Sequence, residues 1–115
     1  MRIVACNRTR EEWLVIRGRA ATGFLGRLRG LIGCASLQPG EGLLIRPCFS
    51  IHTIAMRFTV DVVFLDAAGR VVKLAASVRP NRLGPIALGA AAVLELPEGT
   101  IARTGTRVGD VIDIG

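Results

Sequence analysis

His52, Thr53, Arg57 and Asp61 fall within one short stretch, IHTIAMRFTVD, and form the one polar cluster whose residue types could do chemistry together. An imidazole and a carboxylate can serve as general acid and base, and a guanidinium can hold an anion. Cys48 adds a thiol four residues before His52, the only histidine of the chain. In an extended strand, residues four apart stand ~13 Å from each other, too far for a thiol–imidazole pair. Pro47, Phe49, Ile51 and Thr53 favour that extended form over the helix that would bring the two together. Asp61 sits in VDVVFL, where Val60, Val62 and Phe64 alternate with Asp61, Val63 and Leu65. Both faces of this strand are apolar, so it is expected to be covered on both sides. A carboxylate placed there needs a partner, because burying it bare costs several kcal/mol. An arginine or backbone amides are the expected partners, with a functional carboxylate as the alternative.

Other chemistries lack their signatures. No serine or cysteine stands in a hydrolase motif, and GFLGRLRG lacks the Lys-Ser/Thr ending of a phosphate loop. The three cysteines, Cys6, Cys34 and Cys48, form no C-x-x-C, and with one histidine they supply no four-ligand metal site. They are expected to be small, reduced, mostly buried side chains. No metal and no cofactor is expected.

Charge is uneven along the chain. The net charge of +6 comes from fourteen Arg and one Lys against nine acids. Residues 1–40 hold seven Arg and two Glu, net +5, and residues 41–115 hold eight bases and seven acids, net +1. A polyanion-binding surface in residues 1–40 follows as one reading, and a solvated basic face as the other. With no Tyr and few aromatics there is no stacking platform, so nucleic acid is not the expected partner. The longest uncharged apolar run, Ile86 to Leu94, is about half the length of a spanning helix, so no membrane partner is expected. The N-terminal MRIVACNRTREEW has too short an apolar run for a signal peptide, and a cytoplasmic location is expected.

The elements that must position these residues are mostly strands. Residues 2–6, 13–17, 43–46, 60–65, 70–75, 91–96 and 110–114 read as strands, with DAAG turning the 60–75 hairpin. Thr22 caps a helix whose Phe24, Leu25, Leu28, Leu31 and Ile32 form an amphipathic stripe ending at Gly33. SVRPNRLGPI reads as a loop, and residues 101–104 as a helical turn. The pattern predicts a single, mainly β domain over residues 1–115. It would be a small antiparallel sandwich or partly open barrel carrying one short amphipathic helix.

The series RLRGLIGCASLQPGEGLLI, IHTIAMRFTVDVVFLDAAGRVV, AVLELPEGT and RVGDVI, over roughly residues 20–114, resembles the bacterial and archaeal family called domain of unknown function 192. The matching positions are Arg29, Gly30, Leu31, Gly42, Leu43, Leu44, Asp61, Phe64, Leu65, Asp66, Gly69, Val71, Val93, Leu94, Glu95, Leu96, Gly99, Gly109 and Asp110. Where many members carry Phe-Trp-Met-Lys-Asn-Thr, this chain has Ile51-His52-Thr53-Ile54-Ala55-Met56. Any site built on that Trp, Lys and Asn is therefore lost or rebuilt around His52 and Thr53. The resemblance implies a mainly β, sandwich-like fold and no established activity.

The functional expectation is a small binding or accessory module with a polar pocket near His52, Thr53, Arg57 and Asp61. A small anionic ligand or a protein is its expected partner. The alternatives are an enzyme using His52 and Asp61 as acid and base on an anionic substrate, and the polyanion surface of residues 1–40.

Overall fold

A computed structural model describes residues 1–21, 31 and 34–115. In chain order the elements are β1 (Arg2–Asn7), β2 (Glu12–Ala21), β3 (Glu41–Ile45), β4 (Ser50–His52) and β5 (Val60–Leu65). β6 (Val71–Val78), β7 (Leu83–Ile86), β8 (Ala92–Pro97), a helix α1 (Thr100–Thr104) and β9 (Ile112–Ile114) follow. Seven strands form one sheet in the order β6-β5-β8-β3-β2-β1-β9, and β4 pairs with β7 in a separate ribbon.

The two ends of the large sheet approach each other. Val71 N–H donates to the Asp110 carbonyl, and Ile112 N–H to the Gly69 carbonyl, each at 2.8 Å. Arg70 and Val111 form a bridge between them. The sheet is thus curled into a half-barrel, the partly open form of the expected mainly β fold. One hydrophobic cluster draws on Val71 and Ile112 from opposite edges together with Ile3, Val63, Leu65, Leu94 and Leu96 from the strands between. Residues from both edges can share a cluster only inside the curl. A second cluster on the outer face joins Leu43, Ile45, Val62, Phe64 and Val93 to Leu31, Ile51, Met56 and Ala87.

Alternation in β5 explains this division. Val60, Val62 and Phe64 enter the outer cluster while Val63 and Leu65 enter the inner one. The hairpin β5–β6 forms where the sequence predicts it, with Asp66 Oδ1 accepting the Ala68 and Arg70 amides at 2.9 Å in its turn.

The sheet is mainly antiparallel, as expected, with β2 and β3 as a parallel pair within it. A parallel pair requires a long connection, and nineteen residues separate the end of β2 from the start of β3. The amphipathic helix expected from Thr22 to Gly33 lies largely outside the described residues. The loop expected across residues 77–86 contains a strand, β7, despite Gly84 and Pro85. A proline lacks only the N–H that an edge position can do without, and β7 pairs with β4 alone.

Candidate functional site

Asp61 faces inward, with the parity of Val63, and is 1% exposed. Its Oδ1 accepts the Ser77 amide at 2.9 Å, and its Oδ2 accepts those of Gly99 at 3.1 Å and Ile101 at 2.9 Å. Each of these amides is one that regular structure leaves over. Ser77 lies where the β5–β6 register shifts and has a positive φ of 54°. Gly99 and Ile101 lie at the start of α1, whose N-cap residue Gly99 makes no side-chain cap bond. Asp61 therefore caps α1 from a neighbouring strand and closes a bulge in β6. Backbone amides, one of the two kinds of partner expected of it, take up both oxygens.

His52 stands on the other side of the sheet. Its neighbour Ile51 packs into the outer cluster, so the ribbon β4–β7 covers that face. The arrangement does not assemble the acid–base pair that an enzyme built on His52 and Asp61 would need. Thr53 is fully buried and committed to the chain beyond β6. Its Oγ1 donates to the Arg79 carbonyl at 2.6 Å and accepts the Arg82 amide at 2.9 Å. Arg57 is exposed. His52 is half-buried, and its Nδ1 is shielded from solvent without a hydrogen-bond partner among the described residues.

A stronger polar feature lies elsewhere on the outer face. The register aligns Val62 with Glu95, Glu95 with Leu43, Leu43 with Arg19, and Arg19 with Arg2 across four strand pairs. Residues directly opposite each other share a face, so Glu95, Arg19 and Arg2 belong to one row. Glu95 is 2% exposed, and among the described residues its Oε2 has no hydrogen-bond partner. Burial pushes its carboxyl up to about 7, and the positive charge of Arg19 offsets part of that rise. The basic end of the row opens into a cleft of about 830 Å³. Arg2, Arg17 and Arg19 line it together with Val4, Leu31, Leu37 and Glu41, whose Oε1 accepts the Gln38 amide at 2.7 Å. Sequence reasoning placed Glu95 only within a family pattern. The signal that could have singled it out is the one used for Asp61, a lone carboxylate in an otherwise apolar strand.

The polyanion reading of residues 1–40 loses part of its charge to acids near the C-terminus. Arg8 Nη2 pairs with Asp113 at 2.9 Å, and Arg10 Nε pairs with buried Asp110 at 3.0 Å. Burial alone would raise the Asp110 carboxyl. Hydrogen bonds from Arg10, Asn7 and the Arg107 amide outweigh it and leave the pKa below the usual range. Among the described residues, no helix is long and apolar enough to cross a membrane, and no three His, Cys, Asp or Glu side chains are grouped to hold a metal.

The chain has relatives over nearly its whole length. A UPF0127 protein of Thermococcus sibiricus (strain DSM 12597 / MM 739) is 32% identical over 114 residues, covering 93% of this chain and 71% of that protein. A solved structure of a protein of unknown function from Novosphingobium aromaticivorans DSM 12444 superposes with a TM-score of 0.84 at 24% identity, over 98% of this chain and 84% of the other. A second solved structure, from Sinorhizobium meliloti 1021, gives 0.84 at 19% identity, over 97% and 91%. These two share the fold. The sequence model of DUF192, described as Uncharacterized ACR, matches residues 5–114, and the chain therefore belongs to that family.

Proposed function

We propose that this protein is a small binding module and that its ligand is an amphiphilic anion held in the cleft of Arg2, Arg17 and Arg19. The observation that carries this reading is the composition of the cleft, three guanidinium-bearing side chains beside Val4, Leu31 and Leu37. Sites for small molecules combine an apolar wall with a few polar groups that fix orientation. Guanidinium groups supply charge-assisted hydrogen bonds to a carboxylate or phosphate, and the apolar wall takes an alkyl or ring body.

Octanoate, octyl phosphate and inorganic phosphate serve as probes in thermal unfolding and calorimetric titration. The two octyl anions are expected to raise Tm in a concentration-dependent way and inorganic phosphate to do so far less. An Arg17→Gln/Arg19→Gln variant is expected to lose at least about tenfold in affinity, the loss of one or more charge-assisted bonds. Failure of every octyl anion to stabilise the wild type would end this reading.

A second reading, carried by the Nδ1 of His52, keeps the anion site at His52 and Arg57 with Thr53 beside them and leaves out Asp61, whose oxygens are taken up on the inner face. It is distinguished by the same titrations. His52→Gln would then abolish the shift and the arginine pair would not.

A further inference from the structure

The ribbon β4–β7 turns an apolar face away from the molecule. Ile51 points into the outer cluster, so Ser50 and His52 point outward, and so do Ile86 and Leu83 opposite them. Leu83 is 84% exposed, as is Leu88, and Ile86, Phe49 and Ile54 are exposed as well. Backbone hydrogen bonds bring these together. The Ala87 amide donates to the Phe49 carbonyl at 2.8 Å, and the Thr53 amide to the Arg82 carbonyl at 2.9 Å. Two of these large apolar side chains lie on the ribbon and three just beyond its ends, more than the scattered exposure expected of an ordinary surface.

The charge around them has one sign. Residues 46–60 and 77–90, which hold the two strands and their flanks, contain four arginines and no aspartate or glutamate, and Lys73 Nζ donates to the Ile86 carbonyl at 2.8 Å. Arg57, Lys73, Arg79 and Arg82 are all exposed. A groove of about 410 Å³ adjoins Leu83 and is lined by Ser77, Arg79, Arg82 and Pro85.

We propose that this ribbon is a docking face for an anionic lipid bilayer. Leu83, Ile86 and Leu88 would enter the headgroup–acyl boundary, and Arg79 and Arg82 would take a lipid phosphate in the groove beside them. The charge selects this occupant over a second copy of the chain, because two such faces would bring like charges together. Pro85 in β7 offers no N–H at its position, which makes the ribbon a poor template for an added strand. The groove is too small and too basic to receive an apolar helix. A protruding aliphatic tip beside two arginines needs no shaped partner on a bilayer, and each basic residue near an anionic surface adds about fivefold to binding.

The test is co-sedimentation of the full chain with phosphatidylcholine vesicles, with and without phosphatidylglycerol. Binding is expected only with the anionic lipid and is expected to weaken as salt rises. Leu83→Glu/Leu88→Glu, both at highly exposed positions, is expected to reduce it at least tenfold. Arg79→Gln/Arg82→Gln is expected to reduce it by roughly 25-fold, about fivefold for each arginine. No pelleting with anionic vesicles at low salt would overturn the proposal. So would undiminished binding of the leucine variant, which would assign the effect to basic residues elsewhere. Capture of a soluble acidic peptide by this face without vesicle binding would equally overturn it.

Discussion

Two buried carboxylates on opposite faces of one sheet have opposite fates. Asp61 receives three amides, whereas one oxygen of Glu95 has no partner among the described residues. Burial dominates at Glu95 and pushes its carboxyl from 4.5 up to about 7. Between those values the folded chain holds a proton that the unfolded chain releases, so stability falls as pH rises through this window. A shift of that size corresponds to a loss on the order of 3 kcal/mol. Glu95→Gln keeps the shape and removes the titration. Urea denaturation of wild type and variant, below and above this window, is expected to show the variant gaining relative stability at the higher pH. Parallel profiles for the two proteins would refute this account of Glu95.

At the level of elements, Asp61 is the joint that lets a short helix and a bulged strand meet the barrel wall. A helix of five residues has few bonds of its own, so an external cap weighs heavily in its stability. Asp61→Asn keeps one acceptor oxygen and turns an NH₂ toward at least one of the three donors. The expected cost is about 2–4 kcal/mol, with faster hydrogen exchange at the Ser77, Gly99 and Ile101 amides. Normal exchange at those three amides would show that something else holds α1. The need for such a partner was legible in VDVVFLD, because period-two alternation buries the aspartate and burial demands hydrogen bonds. Its particular amides were not legible, since they lie 16 to 40 positions away and become available only through a bulge and a helix start. β7 was hidden for a different reason. Gly84 and Pro85 are loop residues by local chemistry, and only pairing with Ser50–His52 makes a strand of them. The basic apolar face was invisible to any run-length test for membrane contact, because it is assembled from residues 49–54 and 83–88 across that ribbon.

On the scale of the whole molecule, closure of the half-barrel depends on a polar latch at its open side. Asp110 Oδ2 accepts Asn7 Nδ2, Arg10 Nε and the Arg107 amide, each at 3.0 Å, and Asn7 also donates to Thr106 Oγ1 at 3.1 Å. The Asp110 carbonyl bonds Val71 at the far edge of the sheet, so the latch joins β1, the turn before β9 and β6. Burial opposes ionisation of Asp110, but its hydrogen bonds prevail and hold its pKa below the usual range. The sign is therefore opposite to that of Glu95. The latch contributes stability above the ordinary carboxylate pKa and loses it as acid protonates the folded Asp110. The two groups together predict a stability optimum on the acid side of neutrality, with one limb falling into acid and the other toward neutral pH. Asp110→Asn is expected to cost about 1–3 kcal/mol near that optimum, because Arg10 loses its carboxylate, and to flatten the acid limb. Glu95→Gln is expected to flatten the other limb and leave the acid one in place. Chemical denaturation of the wild type, both single variants and the double variant across the full pH range separates these effects. The latch and the buried row lie on different faces without shared partners, so their contributions are expected to add within about 0.5 kcal/mol. A double variant that still shows the wild-type optimum would mean that neither carboxylate sets it.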